Sequence, residues 1–444
     1  MTAPLISYYG DDFTGSTDVM EALASNGVAT VLFLGVPSSE MRGRFKECQA
    51  IGIAGTSRSE TPEWMQSHLT PAFEWLKSLG ASICHYKVCS TFDSSPKIGN
   101  IGKAIEIGRG VFDQSTVPVI VGAPQLKRYT AFGNLFAAYQ GRTFRIDRHP
   151  VMSRHPVTPM HEADLVRHLA MQTEVPVALA DSTVITAPDA DDRIDELVAT
   201  DAGILMIDVN SADTQLAAGR QMLRVTGKVG TFVAGSSGVE YAIVRALQEQ
   251  GELKAGAGFA DVGAVDRLAV VSGSVSPTTE RQIRTALEQG FDAVAVDPLA
   301  LATSQGTQAV QAAVAAGREK LRNGRSVIVH TALGPSSDVG KALQDVPDAR
   351  HRLSRALGTI LRQLVEAEGL KRAVIAGGDT SSHALTELRV EALTTLLPLP
   401  QTPGSPLCVA HGTYVPTDGL QIALKGGQIG TDGYFAQIRN GRRS

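Results

Sequence analysis

Cysteine is scarce: Cys48, Cys84, Cys89 and Cys408 are the only four in 444 residues, and no two form a C-x-x-C pair. That excludes a disulfide framework of the kind that staples small secreted folds. An excess of charge of one sign is missing too. Lys and Arg number 41 against 45 Asp and Glu, a net charge of −4. Nothing in that balance would neutralise a phosphate backbone over an extended surface, so no nucleic-acid partner is expected. Long hydrophobic runs are absent. The longest near-continuous apolar stretches, 118–124 and 326–333, fall well short of the roughly 20 residues that span a bilayer, so no membrane partner is expected. The opening MTAPLISYYGDD has no basic leader before its short apolar run, which argues against a signal peptide and for a cytoplasmic protein. With 43% hydrophobic and 19% charged residues the composition is that of an ordinary globular chain. At about 150 residues per domain its length suggests two or three domains.

Several signature motifs are also missing. There is no G-x-G-x-x-G, which weakens a Rossmann dehydrogenase, and no G-x-S-x-G, which leaves an α/β-hydrolase elbow unsupported. The segment 334–341 has five residues between its glycines where a Walker A loop has four, and Ala342 replaces the Ser or Thr. His161-Glu162 is followed by His168, seven residues on from His161 instead of four, so a zincin site is rejected and no metal-ligand set is assigned.

What is present is a regular alternation of apolar, β-rich runs with helix-length amphipathic segments. Strands are expected at 5–9, 30–34, 50–54, 82–88, 118–122, 177–180, 204–209 and 231–234, with helices between several of them. Strands apolar at nearly every position need cover on both faces, the parallel α/β arrangement. The pattern pauses at 250–266, dense in Gly and Ala, and restarts with strands at 268–272, 293–296, 326–330 and 373–376. The expectation is an α/β protein of two domains, 1–255 and 256–444, with mainly parallel sheets and the interdomain segment acting as a linker.

In open α/β sheets ligands bind beyond the carboxyl ends of the strands, so strand-to-helix loops carry most weight. The first is Gly10-Asp11-Asp12-Phe13-Thr14-Gly15-Ser16-Thr17-Asp18. Its adjacent carboxylates suit proton abstraction from a hydroxyl, hydrated Mg²⁺ or sugar hydroxyls; one helix cap does not need two aspartates and flanking glycines. The second, Lys87-Val88-Cys89-Ser90-Thr91-Phe92-Asp93-Ser94, joins an ammonium to short polar groups suited to a hydroxylated acid. A Ser/Thr-rich turn that satisfies its own backbone is the plainer reading of this loop alone. His155 and Thr158 lie in a proline-rigid loop, where spacing alone assigns the histidine nothing. In the second half, Ser272-Gly273-Ser274-Val275-Ser276, Gly377-Gly378-Asp379-Thr380 and Lys425-Gly426-Gly427-Gln428-Ile429-Gly430 are glycine-rich turns. Two of them sit at strand-to-helix positions, where backbone N–H groups cradle phosphate. From residues alone the chain is a two-domain α/β enzyme with a polyol-acid site in its first half and a phosphate site in its second.

Taken together these motifs resemble the four-carbon acid sugar kinase family, over about residues 5–435. Asp11-Asp12-Phe13-Thr14-Gly15 is similar to the family's opening Asp-Asp-x-Thr-Gly. Lys87-Val88-Cys89-Ser90-Thr91-Phe92-Asp93-Ser94 is similar to the form found in its 3-oxo-tetronate kinase branch. His155-Pro156-Val157-Thr158-Pro159-Met160 is similar to its His-Pro-x-Thr-Pro-Met loop. Asp379 stands where Glu is usual, and 425–430 departs from the usual Leu-Lys-Ser-Gly-Asn-Phe-Gly pattern. The resemblance implies ATP-dependent phosphorylation of the terminal hydroxyl of a small acid sugar, in a cleft between a sugar domain and a nucleotide domain. It implies Asp11, Asp12 and Lys87 as catalytic, and Ser90, Thr91, Asp93, Ser94, His155 and Thr158 as substrate-binding. Ser272, Ser274, Gly377, Gly378, Asp379, Thr380, Gly426 and Gly427 would hold ATP, with Mg²⁺ bridging its phosphates, and a homodimer is compatible with it. Two other classes fit parts of the sequence: an Asp-dependent phosphatase, which leaves the glycine-rich half idle, and a non-catalytic two-lobed sugar-acid binder.

Overall fold

In the computed structural model the described residues are 3–256, 258–337, 343, 346–402 and 404–443. The chain separates into two compact units, Met1–Thr30 with Arg42–Ala257, and Val31–Met41 with Gly258–Ser444. Both are α/β, and parallel pairing dominates, as the alternation of elements requires. No helix among the described residues is long and apolar enough to cross a membrane.

The first unit is built on parallel strands in the order Ala50–Ala54, Ile6–Gly10, Ile83–Lys87, Phe232–Gly235, Val117–Ile120, Ile204–Ile207 and Val177–Ala180. The central strands are buried at every position, which explains their lack of alternation. Helices cover them with apolar stripes. In Pro62–Ser78, Met65, Leu69, Ala72, Phe73 and Leu76 recur at helical spacing and are buried, behind a Thr61 cap and Pro62 in the first turn. Each large side chain of such a stripe contributes about 1.5–3 kcal/mol on burial. A three-stranded antiparallel sheet, Arg128–Ala131, Asn134–Tyr139 and Arg142–Arg145, lies outside the sequence expectation. Its two connections are Phe132-Gly133 and Gln140-Gly141, all four at positive φ. That is a type I′ geometry without the Asn-Gly or Asp-Gly pair that would announce it.

In the second unit the strands Phe291–Ala295, Ser326–His330, Ala269–Ser272, Arg372–Ala376 and Gln421–Lys425 run parallel in that order. Leu407–His411 and Ala392–Leu397 then add antiparallel strands. The sheet continues onto Val31–Phe33, paired antiparallel with Ala392–Thr394. The run 30–34 is thus a strand, as expected, but it pairs with a partner some 360 residues away in sequence. The expected linker is also only partly free of structure. Val262 and Val265 donate backbone hydrogen bonds to Gly441 and Arg439, and Arg372 Nη2 donates to the Gly263 carbonyl at 3.1 Å. Residues 338–341 of the segment 334–341 lie outside the described residues.

His168, on the short helix Leu165–Ala170, is buried against Ser94, with Nε2 and Oγ 2.8 Å apart. Burial pushes its pKa down from 6.5 to about 4. A folded-state value below the unfolded one means the unfolded chain binds the extra proton. The stabilisation is therefore complete above pH 6.5 and lost as pH falls through 4. Urea unfolding at pH 7 and pH 4 should show a loss of up to about 3 kcal/mol that His168→Gln, which can still bond Ser94, does not share. Parallel losses in the two proteins would remove His168 from the acid response.

Candidate functional site

Three strands of the first unit end side by side. Gly10 is in register with Ala54 on one side and Lys87 on the other, so the turns that follow all three strands emerge at one carboxyl edge. Asp12 caps the helix Phe13–Ser25, its Oδ1 accepting from the Gly15 N–H at 2.7 Å. Its Oδ2 accepts from Arg58 Nη1 at 2.7 Å. Asp11 takes the rest of the same guanidinium, Nη2 at 2.7 Å and Nε at 3.1 Å, the bidentate geometry that makes Arg–carboxylate pairs strong. Arg58 stands on the turn Ser57–Ser59, directly after strand Ala50–Ala54. Burial pushes the Asp11 carboxyl above the ordinary carboxylate range, while Arg58 pulls it back down. Burial alone would depress the guanidinium, yet Asp11 and Asp12 hold it well above its ordinary value.

The two aspartates are not equivalent. The Asp11 side chain is 5% exposed and that of Asp12 is 29% exposed, so Asp12 is the one that can meet a ligand. Gly15 is needed beside them, since a Cβ there would fall 2.5 Å from Asp12 Oδ1 and 2.9 Å from Lys87 Nζ. Lys87 is 2% exposed, yet among the described residues its ammonium has neither a hydrogen bond nor an ion pair. Behind it lies Asp18, whose carboxyl is raised by burial and lowered by the Lys87 charge, and which accepts from Ser237 Oγ at 2.5 Å.

The turn after Lys87 extends the cluster. Phe92 adopts a left-handed conformation (φ 54°) rare for a bulky residue. Around it Thr91 Oγ1 donates to Asp93 Oδ1 at 2.5 Å, and Thr158 Oγ1 to Asp93 Oδ2 at 3.2 Å. His155 joins through Thr158, whose N–H meets Nδ1 at 3.1 Å, and Asp93 is near enough to act on Arg58 electrostatically. The structure therefore brings Asp11, Asp12, Lys87, Thr91, Asp93, His155 and Thr158 into one polar cluster. Ser94 faces elsewhere: its hydroxyl donates to the Phe92 carbonyl and is held by His168 and Gln172. Ser90 is half-buried on the same turn.

In the second unit, Ser272, Ala376 and Lys425 end three adjacent parallel strands in register. Their turns converge. A Cβ on Gly273 or Gly377 would fall 2.6 or 2.9 Å from Thr380 Oγ1, and one on Gly427 would fall 2.9 Å from Ser274 Oγ. Gly377, at φ +129°, caps the helix Gly378–Glu387, and Ser276 caps Pro277–Glu288. Two helix N-termini thus flank the convergence, the arrangement that favours anions. Gly378 is exposed, with open space where a Cβ would be. The Asp379 side chain lies outside the described residues. Lys425 is fully engaged inside, its Nζ donating to Gly426 O at 2.8 Å, Thr279 Oγ1 at 3.1 Å and Ile429 O at 3.3 Å, and burial pushes its pKa down to about 8. Thr279 also donates to Gly427 O at 3.0 Å.

Sequence reasoning missed Arg58 and Thr279 as members of these clusters, and it gave no role to Asp18 or Lys425, although both stand in motifs it singled out. For Arg58 the signal was positional: Gly55-Thr56-Ser57-Arg58 follows an expected strand. Asp18 and Thr279 lie within the first two turns of their helices, where spacing reads as ordinary helix surface.

A carboxylate-rich edge on one unit suits a polar small molecule, and a glycine-rich cradle flanked by helix N-termini on the other suits an anion such as a nucleotide. Comparison with known proteins agrees. Residues 6–243 match the family of sugar-binding N-terminal domains, and residues 269–435 that of nucleotide-binding C-terminal domains. The chain belongs to this family and is an acid sugar kinase. It is similar to a 3-oxo-isoapionate kinase of Paraburkholderia graminis, with 43% identity over 99% of this chain and 94% of the relative. It is also similar to a 3-oxo-tetronate kinase of Cupriavidus necator, 30% identical over 97% of this chain and 96% of the relative. A solved Salmonella typhimurium LT2 protein has the same fold, with TM-score 0.79 and 24% identity over 97% of this chain and 98% of its own.

Removing Arg58 should expose what it neutralises. Arg58→Met leaves the buried Asp11 carboxylate uncompensated and should cost about 3–5 kcal/mol of stability. Adding Asp11→Asn in that background should recover part of the loss. Chemical denaturation of the two variants checks this, and a double variant no more stable than Arg58→Met would contradict it.

Proposed function

We propose that the protein transfers the γ-phosphoryl group of ATP to the terminal hydroxyl of a small 3-oxo sugar acid, with a branched 3-oxo-isoapionate-type acid ahead of a linear 3-oxo-tetronate. The end-to-end similarity to a 3-oxo-isoapionate kinase carries this reading, and the order of substrates follows the higher identity to it than to the 3-oxo-tetronate kinase. In this reading the acid binds the first unit and ATP the second.

Phosphoryl transfer gains its rate from positioning and charge neutralisation. Asp12, held by Arg58 and partly exposed, is the group that orients the attacking hydroxyl and accepts its proton. Asp11, buried and bidentate on Arg58, fixes that guanidinium. Lys87, a buried ammonium over Gly15, is suited to an anionic oxygen, either the substrate carboxylate or the transferred phosphoryl group. Ser90, Thr91 and the His155 loop line the acid. In the second unit the 272–276, 377–380 and 426–427 turns offer backbone N–H groups and hydroxyls to the ATP phosphates. Mg²⁺ would come with those phosphates and supply charge neutralisation. Among the described residues no group of three or more His, Cys, Asp or Glu could hold a metal ion, so its protein ligands would be few.

ADP release measured with a panel of 3-oxo-isoapionate, 3-oxo-tetronate, threonate and erythronate tests the reading. Turnover of a 3-oxo acid that depends on ATP supports it; turnover of none of the four overturns it. Gly378→Val places a branched side chain in open space at the cradle. It should weaken nucleotide binding tenfold or more, on the order of the 1.4 kcal/mol that a tenfold change represents, while calorimetric binding of the acid survives. Equal loss of both ligands would contradict the division of labour.

A further inference from the structure

The polar cluster of the first unit contains a chain of hydrogen bonds whose directions are fixed by chemistry. The Thr158 backbone N–H lies 3.1 Å from His155 Nδ1. An amide nitrogen only donates, so Nδ1 presents its lone pair and the proton of the neutral ring sits on Nε2. The Thr158 hydroxyl has one hydrogen and two neighbours, Nδ1 at 3.1 Å and Asp93 Oδ2 at 3.2 Å. With the Nδ1 lone pair already taken, that hydrogen goes to the carboxylate. Asp93 Oδ1 receives the Thr91 hydroxyl at 2.5 Å, so each carboxylate oxygen holds one threonine. Thr91, Asp93 and Thr158 are all buried, at 5%, 7% and 2% exposure. The loop is closed by Met160 N–H on the Met152 carbonyl at 2.9 Å and stiffened by Pro156 and Pro159. His155 itself is half-buried, and its Nε2 has no partner among the described residues.

We infer that Asp93 and Thr158 are positioning residues that lock His155 in one tautomer, so that the ring presents Nε2–H as a donor to the ketone oxygen of an oxo-acid substrate. The inference rests on the acid-sugar reading of the first unit and sharpens it. A ring that carries its proton on Nε2 cannot accept one there, so His155 is not the base toward the attacking hydroxyl. A ketone oxygen only accepts and satisfies Nε2–H with nothing left over. A hydroxyl in its place also accepts from Nε2–H, but it brings a hydrogen that the protonated Nε2 cannot receive and that needs a further acceptor. A site built around one fixed donor therefore favours the oxo acid over its reduced, 3-hydroxy counterpart, as sites that pair a specific polar group do. Asp93, assigned to the substrate by resemblance, instead acts through Thr158.

Two measurements on the full chain test this separately. The ¹⁵N shifts of the histidine rings at pH 8, with His155 assigned by its disappearance in His155→Gln, should report the Nε2–H tautomer without any substrate. An Nδ1–H tautomer would overturn the lock. For the second, kcat/KM is compared for a 3-oxo acid and its 3-hydroxy counterpart. His155→Leu should reduce the oxo-over-hydroxy preference by about tenfold or more, and His155→Gln, whose amide keeps an N–H near the Nε2 position, should restore part of it. A preference unchanged in His155→Leu would overturn the ketone contact. A wild-type enzyme that phosphorylates neither acid would overturn the kinase reading and the ketone contact with it, while the tautomer measurement still decides the lock.

Discussion

One guanidinium between two carboxylates is the interaction on which the first unit's site depends. Asp11 and Asp12 are adjacent in sequence at the end of a buried strand, where two like charges would repel and each would pay for leaving water. Arg58 answers both, with two nitrogens on Asp11 and one on Asp12. Its backbone is fixed as firmly as its side chain. Arg58 N–H donates to the Asp11 carbonyl at 3.0 Å, and Gly99, at φ +60°, packs so closely that a Cβ there would fall 2.4 Å from the Arg58 carbonyl oxygen. Neutralisation and orientation are thus one event: the pairing that makes two adjacent acids tolerable also turns Asp11 inward and leaves Asp12 partly exposed.

The second unit solves a different problem with different materials. Its cradle is made of small residues, hydroxyls and helix N-termini, and its lysine is spent inside. Lys425 ties Gly426, Thr279 and Ile429 together through three donors, so it shapes the 425–430 turn instead of reaching for a phosphate. A cradle of backbone dipoles suits a ligand that arrives with its own cation and must leave again after transfer. The first unit's cluster instead carries formal charges and fixed hydrogen-bond directions, which in the proposed reading meet a small acid.

Much of this was legible in the sequence. The α/β class, the parallel sheets and the strands at 50–54, 177–180 and 326–330 follow from apolar runs broken by helical periods. What periodicity does not encode is partnership. Val31–Phe33 reads as a strand but gives no sign that it pairs with Ala392–Thr394, because a strand's apolar face is the same whichever sheet buries it. The hairpins at 128–145 were hidden because Phe-Gly and Gln-Gly are weak turn signals. At the site, residue types that are rare together, Asp-Asp and the Gly-rich turns, were visible. Arg58 was not, since an arginine in a short loop looks like any surface arginine until a fold sets two carboxylates against it. Ser94 reads the other way: its setting in a Ser/Thr-rich turn suggests a ligand, while in the structure its hydroxyl is engaged by the Phe92 carbonyl, His168 and Gln172.

The inequality of the two aspartates is the central claim, and isosteric neutralisation of each in turn tests it most directly. Steady-state kcat and the unfolding midpoint would be measured for Asp11→Asn and Asp12→Asn with ATP and a 3-oxo acid. Asp12→Asn should lower kcat by about 10²-fold or more, the scale of a lost general base, with a nearly unchanged midpoint. Asp11→Asn should show its larger effect in the midpoint. The reverse pattern, with kcat lost at Asp11 and kept at Asp12, would contradict the account.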